Sequence, residues 1–91
     1  MSHSKVTQEM IEELFEIILN IKDKKQCEDF FSDLCTNKEI EQMAQRLKAA
    51  KLLIEGKTYN QVIEETDISS ATLSRVSRCV QYGKGYSELL K

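Results

Sequence analysis

The stretch DISSATLSRVSR, residues 67–78, combines small hydroxyls with two cations and carries no acid after Asp67. Ser69, Ser70, Thr72 and Ser74 hold oxygens that both donate and accept hydrogen bonds. Arg75 and Arg78 end in planar, permanently charged groups suited to phosphate and to guanine edges. Ala71, or the Thr72 methyl, offers the short apolar contact that a thymine methyl takes. These side chains are small enough to let a backbone approach a groove, and a helix beginning here would turn its N-terminus towards phosphate. Singly, each has an ordinary explanation: a serine before a helix is a cap, and an arginine on one is a solvated face. Together, in one register, they point to nucleic acid.

That register is set by Ile68, Leu73 and Val76, spaced as one buried helical face. The spacing predicts a helix from Ser69 or Ser70 to about Tyr82, with Gly83 and Gly85 breaking it and YSELL forming one more turn. Ahead of it, TYNQ at 58–61 reads as a capping box, Thr58 with Gln61, opening a short helix to about Thr66. Val62 and Ile63 are its apolar positions. About three residues join the two helices, the length of a helix-turn-helix connection. Asp67 stands where such turns commonly place glycine, and Asp is among the residues that tolerate positive φ.

Upstream, TNKE at 36–39 is a further box, Thr36 with Glu39, predicting a helix to about Glu55 that Gly56 ends in a left-handed conformation. Ile40, Met43, Ala44, Leu47, Ala50 and Ile54 are its expected inward face. DKKQ at 23–26 resembles a box too and opens a helix to about Cys35, with Cys27, Phe30, Phe31 and Leu34 inward. The first helix is expected from about Thr7 to Ile21. Met10, Ile11, Leu14, Phe15 and Ile18 form its stripe, while Ile17, Leu19 and Ile21 fall outside it. A helix apolar over so much of its circumference calls for cover from more than one side, and a second copy of the chain is the favoured source.

Ninety-one residues make one small domain, whose modest core makes association a natural remedy. The absence of Pro and the presence of only three Gly favour long helices with tight connections. No apolar run approaches the ~18 residues of a membrane span, and MSHSKVTQEM has no apolar signal-peptide region. Cys27, Cys35 and Cys79, odd in number and set among apolar residues, fit reduced thiols in the cytoplasm. Metal-ligand spacing is missing, so no metal site is expected. The lone His3, in an N-terminal tail, and the solvated pairs Glu12–Glu13 and Glu64–Glu65 give no usable catalytic arrangement, so the chain does not read as an enzyme.

The net charge of −2 hides an asymmetry. Residues 1–45 hold five Lys and ten acids, and residues 46–91 hold eight Lys or Arg and five acids, giving −5 and +3. Between Ile68 and Ser87 stand Arg75, Arg78 and Lys84 with no acid, a local basic field at one end of an acidic chain.

TYNQVIEETDISSATLSRVSR resembles bacterial helix-turn-helix regulators. Residues 36–75, TNKEIEQMAQRLKAAKLLIEGKTYNQVIEETDISSATLSR, resemble more narrowly the Trp repressor family, and most closely its short Trp-repressor-like branch. The resemblance spans about 36–82 by motif and extends before that only in helix order. It implies an all-α fold of about six helices in an intertwined homodimer. Residues 1–57 would form the dimerisation core and 58–82 the helix-turn-helix, within a single domain over 1–91. It also implies double-stranded DNA as partner, read in two half-sites about one turn, ~34 Å, apart.

For a ligand, the resemblance marks Arg46 and Arg75 as the pair that sandwiches a tryptophan indole, and Thr36 as a contact to its amino end. Two positions depart from the repressor: Val76 replaces a glycine that leaves room for the ring, and Cys79 replaces a serine near the amino group. A β-branched side chain there would collide with an indole, at a cost of about 1–3 kcal/mol. The expectation is therefore no co-repressor, with a ligand smaller than tryptophan as the alternative. The functional expectation is a sequence-specific DNA-binding regulator, a repressor by resemblance. The alternative is a helical interaction or oligomerisation module that has lost DNA.

Overall fold

The computed structural model describes residues 5–91. His3 lies outside them. All regular structure among the described residues is helical: α1 Gln8–Leu19, α2 Lys24–Leu34, α3 Asn37–Ile54, α4 Tyr59–Thr66, α5 Ser70–Tyr82 and α6 Gly85–Leu90. The chain divides into two compact units, residues 1–35 and 36–91.

In the first unit, Thr7 caps α1 by accepting from the Met10 amide at 3.1 Å. The helix stops before the expected Ile21. Its last turn tightens, with the Asn20 and Ile21 amides bonding three residues back, and the Asn20 side chain donates to the Glu16 carbonyl. Asp23 caps α2, but Gln26 accepts from the amide of Lys22 rather than from that of Asp23, a displaced version of the expected box. Phe30 and Phe31 meet edge to face at 5.6 Å. Neither helix contains a buried residue. Leu34, expected inward, is 49% exposed.

The second unit is built on α3, against which α4, α5 and α6 pack. Thr36 and Glu39 make both bonds of the capping box that starts α3. At its other end the amide of Gly56 bonds to Leu53 and that of Lys57 to Leu52, the paired closure of a Schellman motif, with Gly56 at φ 92°. Thr58 and Gln61 then make a second complete box, opening α4.

The core comprises Ala49, Ala50, Leu52, Val62, Ile68, Leu73, Val76 and Val80. The inward side of α3 is thus rotated from the expected face. Ala49 and Leu52 are buried, Ile40, Met43 and Ile54 are half-buried, and Ala44 and Leu47 are exposed. Alanine has little apolar weight in a periodicity count, yet its short side chain is what lets a neighbouring helix approach closely. The α4–α6 layer therefore sits on the side of Ala49 and Ala50, leaving Ala44 and Leu47 exposed.

Candidate nucleic-acid interface

The connection between α4 and α5 begins at Thr66, the last residue of α4. Its hydroxyl donates to the Val62 carbonyl at 2.7 Å and accepts from the Ile68 amide at 3.3 Å. Asp67 follows at φ 60°, ψ 21°, the left-handed conformation expected of the turn, with its amide closing on Ile63. Ile68, 2% exposed, then plugs the angle between the helices. Ser69 caps α5: its hydroxyl accepts from the Thr72 amide at 3.2 Å and donates to the Thr72 hydroxyl at 2.9 Å.

From there the burial pattern divides α5 lengthwise. Leu73, Val76 and Val80 face the core, while Ser70, Ala71, Ser74, Arg75 and Arg78 are exposed along the opposite side. Thr72 is half-buried and Ser69 exposed. The Ser69 hydroxyl is engaged in closing the helix, whereas Ser70 and Ser74 lie open. The ion pair among the described residues is Lys25–Asp29, so the Arg75 and Arg78 guanidiniums have no acidic partner. Two unpaired cations and open hydroxyls, beside a helix N-terminus without an acid in its first turn, make a surface complementary to phosphate and to groove edges.

The five residues marked for a ligand fall in different surroundings. Thr36 is the α3 cap, its oxygen accepting from the Glu39 amide. Arg46 is half-buried on α3, and Arg75 is exposed on α5. Val76 is 1% exposed, packed into the core cluster. Cys79 is half-buried and lines an apolar hollow of about 460 Å³ with Leu47, Gly83, Gly85, Tyr86, Leu89 and Leu90. Of those five residues, only Cys79 lines this hollow.

One residue that holds the turn between α4 and α5 escaped the sequence. Gln45 of α3 reaches across to the turn and donates its side-chain amide to the Thr66 carbonyl at 2.8 Å. No periodicity or motif marks it, because its partner is 21 residues away.

A short helix, a left-handed turn and a second helix with its basic side outward define a helix-turn-helix protein. The family model described as Trp repressor protein matches residues 9–91, and the chain belongs to the Trp repressor family, a membership that suggests a DNA-binding regulator. Among relatives, Uncharacterized protein YerC of Bacillus subtilis (strain 168) is 48% identical over 79 residues, 87% of this chain and 76% of the relative. The crystal structure of a TrpR like protein from Eubacterium eligens ATCC 27750 is 45% identical, with a TM-score of 0.84 over 91% of this chain and 86% of that chain. A solved structure from Staphylococcus aureus gives 40% identity and a TM-score of 0.86, over 99% and 91% of the two chains. The expected all-α class and six-helix order hold among the described residues. No helix among them is long and apolar enough to cross a membrane.

Proposed function

We propose that this protein is a sequence-specific transcriptional repressor that acts as a homodimer and reads an inverted repeat in double-stranded DNA through the head of α5. The observation that carries the reading is the lengthwise division of α5, which turns Ser70, Ala71, Ser74, Arg75 and Arg78 outward without an acidic partner. Ser70, Ala71, Thr72 and Ser74 meet base edges. Arg75 and Arg78 reach guanine or phosphate, and Ser69 holds the helix end in place. The second copy covers α1, where Met10, Ile11, Phe15, Ile17 and Leu19 are exposed.

Tryptophan is not the effector in this reading. Val76 already occupies the core space at the position where the repressor has glycine, so an indole would have to displace it. Three free cysteines fit the reducing cytoplasm of a bacterium.

The test is selection of bound duplexes from a random library, then titration of Ser70→Ala and Arg75→Ala against the selected sequence at fixed salt. Each lost base contact should cost about 1–3 kcal/mol, roughly a 5- to 150-fold loss, with helicity unchanged. Both variants binding like the wild type would refute the assignment of the site. Absence of any duplex binding, alongside a tight protein partner, would select the interaction-module reading instead.

A further inference from the structure

The Thr66 carbonyl is one of the four that the end of α4 leaves without a helical partner. It is satisfied from outside, by the Gln45 amide of α3, in a part-buried bond of 2.8 Å. On the same residue the hydroxyl ties Val62 to Ile68. Thr66 is therefore held by its own helix, by the start of the turn and by α3 at once.

We infer that Gln45 is a positioning residue for DNA reading: its amide fixes the height and angle at which α3 presents α5 to the groove. The inference rests on the DNA-binding reading above. Val62, Ile68 and Leu73 already hold the two helices together, but apolar contact is non-directional and tolerates sliding. A hydrogen bond to a carbonyl weakens steeply once its distance or angle drifts. With the Thr66 carbonyl pinned, the left-handed step at Asp67 and the cap at Ser69 follow within three residues, so the clamp acts at the base of the lever that carries Ser70 and Arg75. Base-edge contacts are short and directional, whereas long cationic side chains follow a displaced phosphate. Loosening the clamp therefore lowers affinity for the preferred sequence more than affinity for any duplex.

The experiment compares wild type, Gln45→Met and Gln45→Glu on the library-selected duplex and on an unrelated duplex of equal length, at fixed salt and well below melting. Gln45→Met keeps the length and removes the donor. It should lose about three- to tenfold on the selected duplex, the effect of one buried hydrogen bond, and less than about twofold on the unrelated one. Without DNA, hydrogen exchange at the Asp67 and Ile68 amides should accelerate. Gln45→Glu sets a carboxylate against a carbonyl oxygen. It should discriminate worse than Gln45→Met at about pH 8 and recover towards wild type, measured at the same pH, at about pH 5, because a carboxylate part-buried against a carbonyl oxygen is pushed above its ordinary range and so gains a proton to donate. A purely structural role would lower the melting temperature without moving the ratio between duplexes. Should Gln45→Met melt too low, the two pH values of Gln45→Glu carry the comparison alone. Unchanged discrimination in the folded variants overturns the positioning role, whatever the exchange rates. A wild type that prefers no duplex overturns the DNA reading, and the exchange rates then still report whether Gln45 holds the turn.

Discussion

Asp67 is the residue at which the chain bends between α4 and α5. It sits at φ 60°, where an ordinary L-residue pays about 1–2 kcal/mol and Asp pays less. Glycine would remove the strain but adds about 0.5–1 kcal/mol of unfolded-state entropy to be lost on folding. Asp67→Gly should therefore change stability by less than about 1 kcal/mol. Asp67→Val, β-branched and intolerant of this conformation, should cost about 1–3 kcal/mol, lowering the melting temperature by roughly 4–8 °C for each kcal/mol in a chain this small. Equal melting temperatures for the Gly and Val variants would show that the turn is not held left-handed in solution. The hydroxyl and guanidinium pattern of 69–78 was legible from residue types alone. The division of labour within it was not: Ser69 closes the helix, and that became visible only with its bonds to Thr72.

At the scale of elements, the helix ends were the most legible feature because each is decided within three or four residues. Thr36–Glu39 and Thr58–Gln61 form both bonds of their boxes. The connection between α3 and α4 depends on Gly56 in its left-handed conformation and Thr58 as cap. A Cβ at Gly56 would meet nothing within 4 Å, so the penalty of Gly56→Ala is one of backbone conformation alone, about 1 kcal/mol. Thr58→Ala should cost about 0.5–2 kcal/mol through loss of the cap. Urea titration should show both as lower midpoints at unchanged slope. A wild-type midpoint for Gly56→Ala would mean that the joint does not need a left-handed residue. Gly83, read as a helix breaker, also answers a tight space, because a Cβ there would come within 2.7 Å of the Cys79 carbonyl oxygen. The inward side of α3 differs from the expected one because Leu47, Leu52, Leu53 and Ile54 place apolar groups on more than one side of the helix, and only the packing of α4–α6 selects Ala49, Ala50 and Leu52.

At the scale of the molecule, α1 has no buried residue although Phe15 is 58% and Leu19 83% exposed. On the homodimer reading, a second copy removes this surface from water at about 25 cal/mol per Å². Stability then depends on protein concentration. Phe15→Glu should shift the sedimentation mass towards one chain and lower the melting temperature. A wild type that sediments as one chain at micromolar concentration, with a concentration-independent melting temperature, would exclude the dimer.

The helix order, the caps, the left-handed turn at Asp67 and the acid-free stretch behind it were determined by the sequence itself, because each depends on neighbours within one turn of helix. Which side of α3 is buried and the grip of Gln45 on Thr66 were decided only by tertiary structure. Those outcomes depend on surfaces brought together from distant parts of the chain, where close approach and a single directional bond outweigh local apolar count.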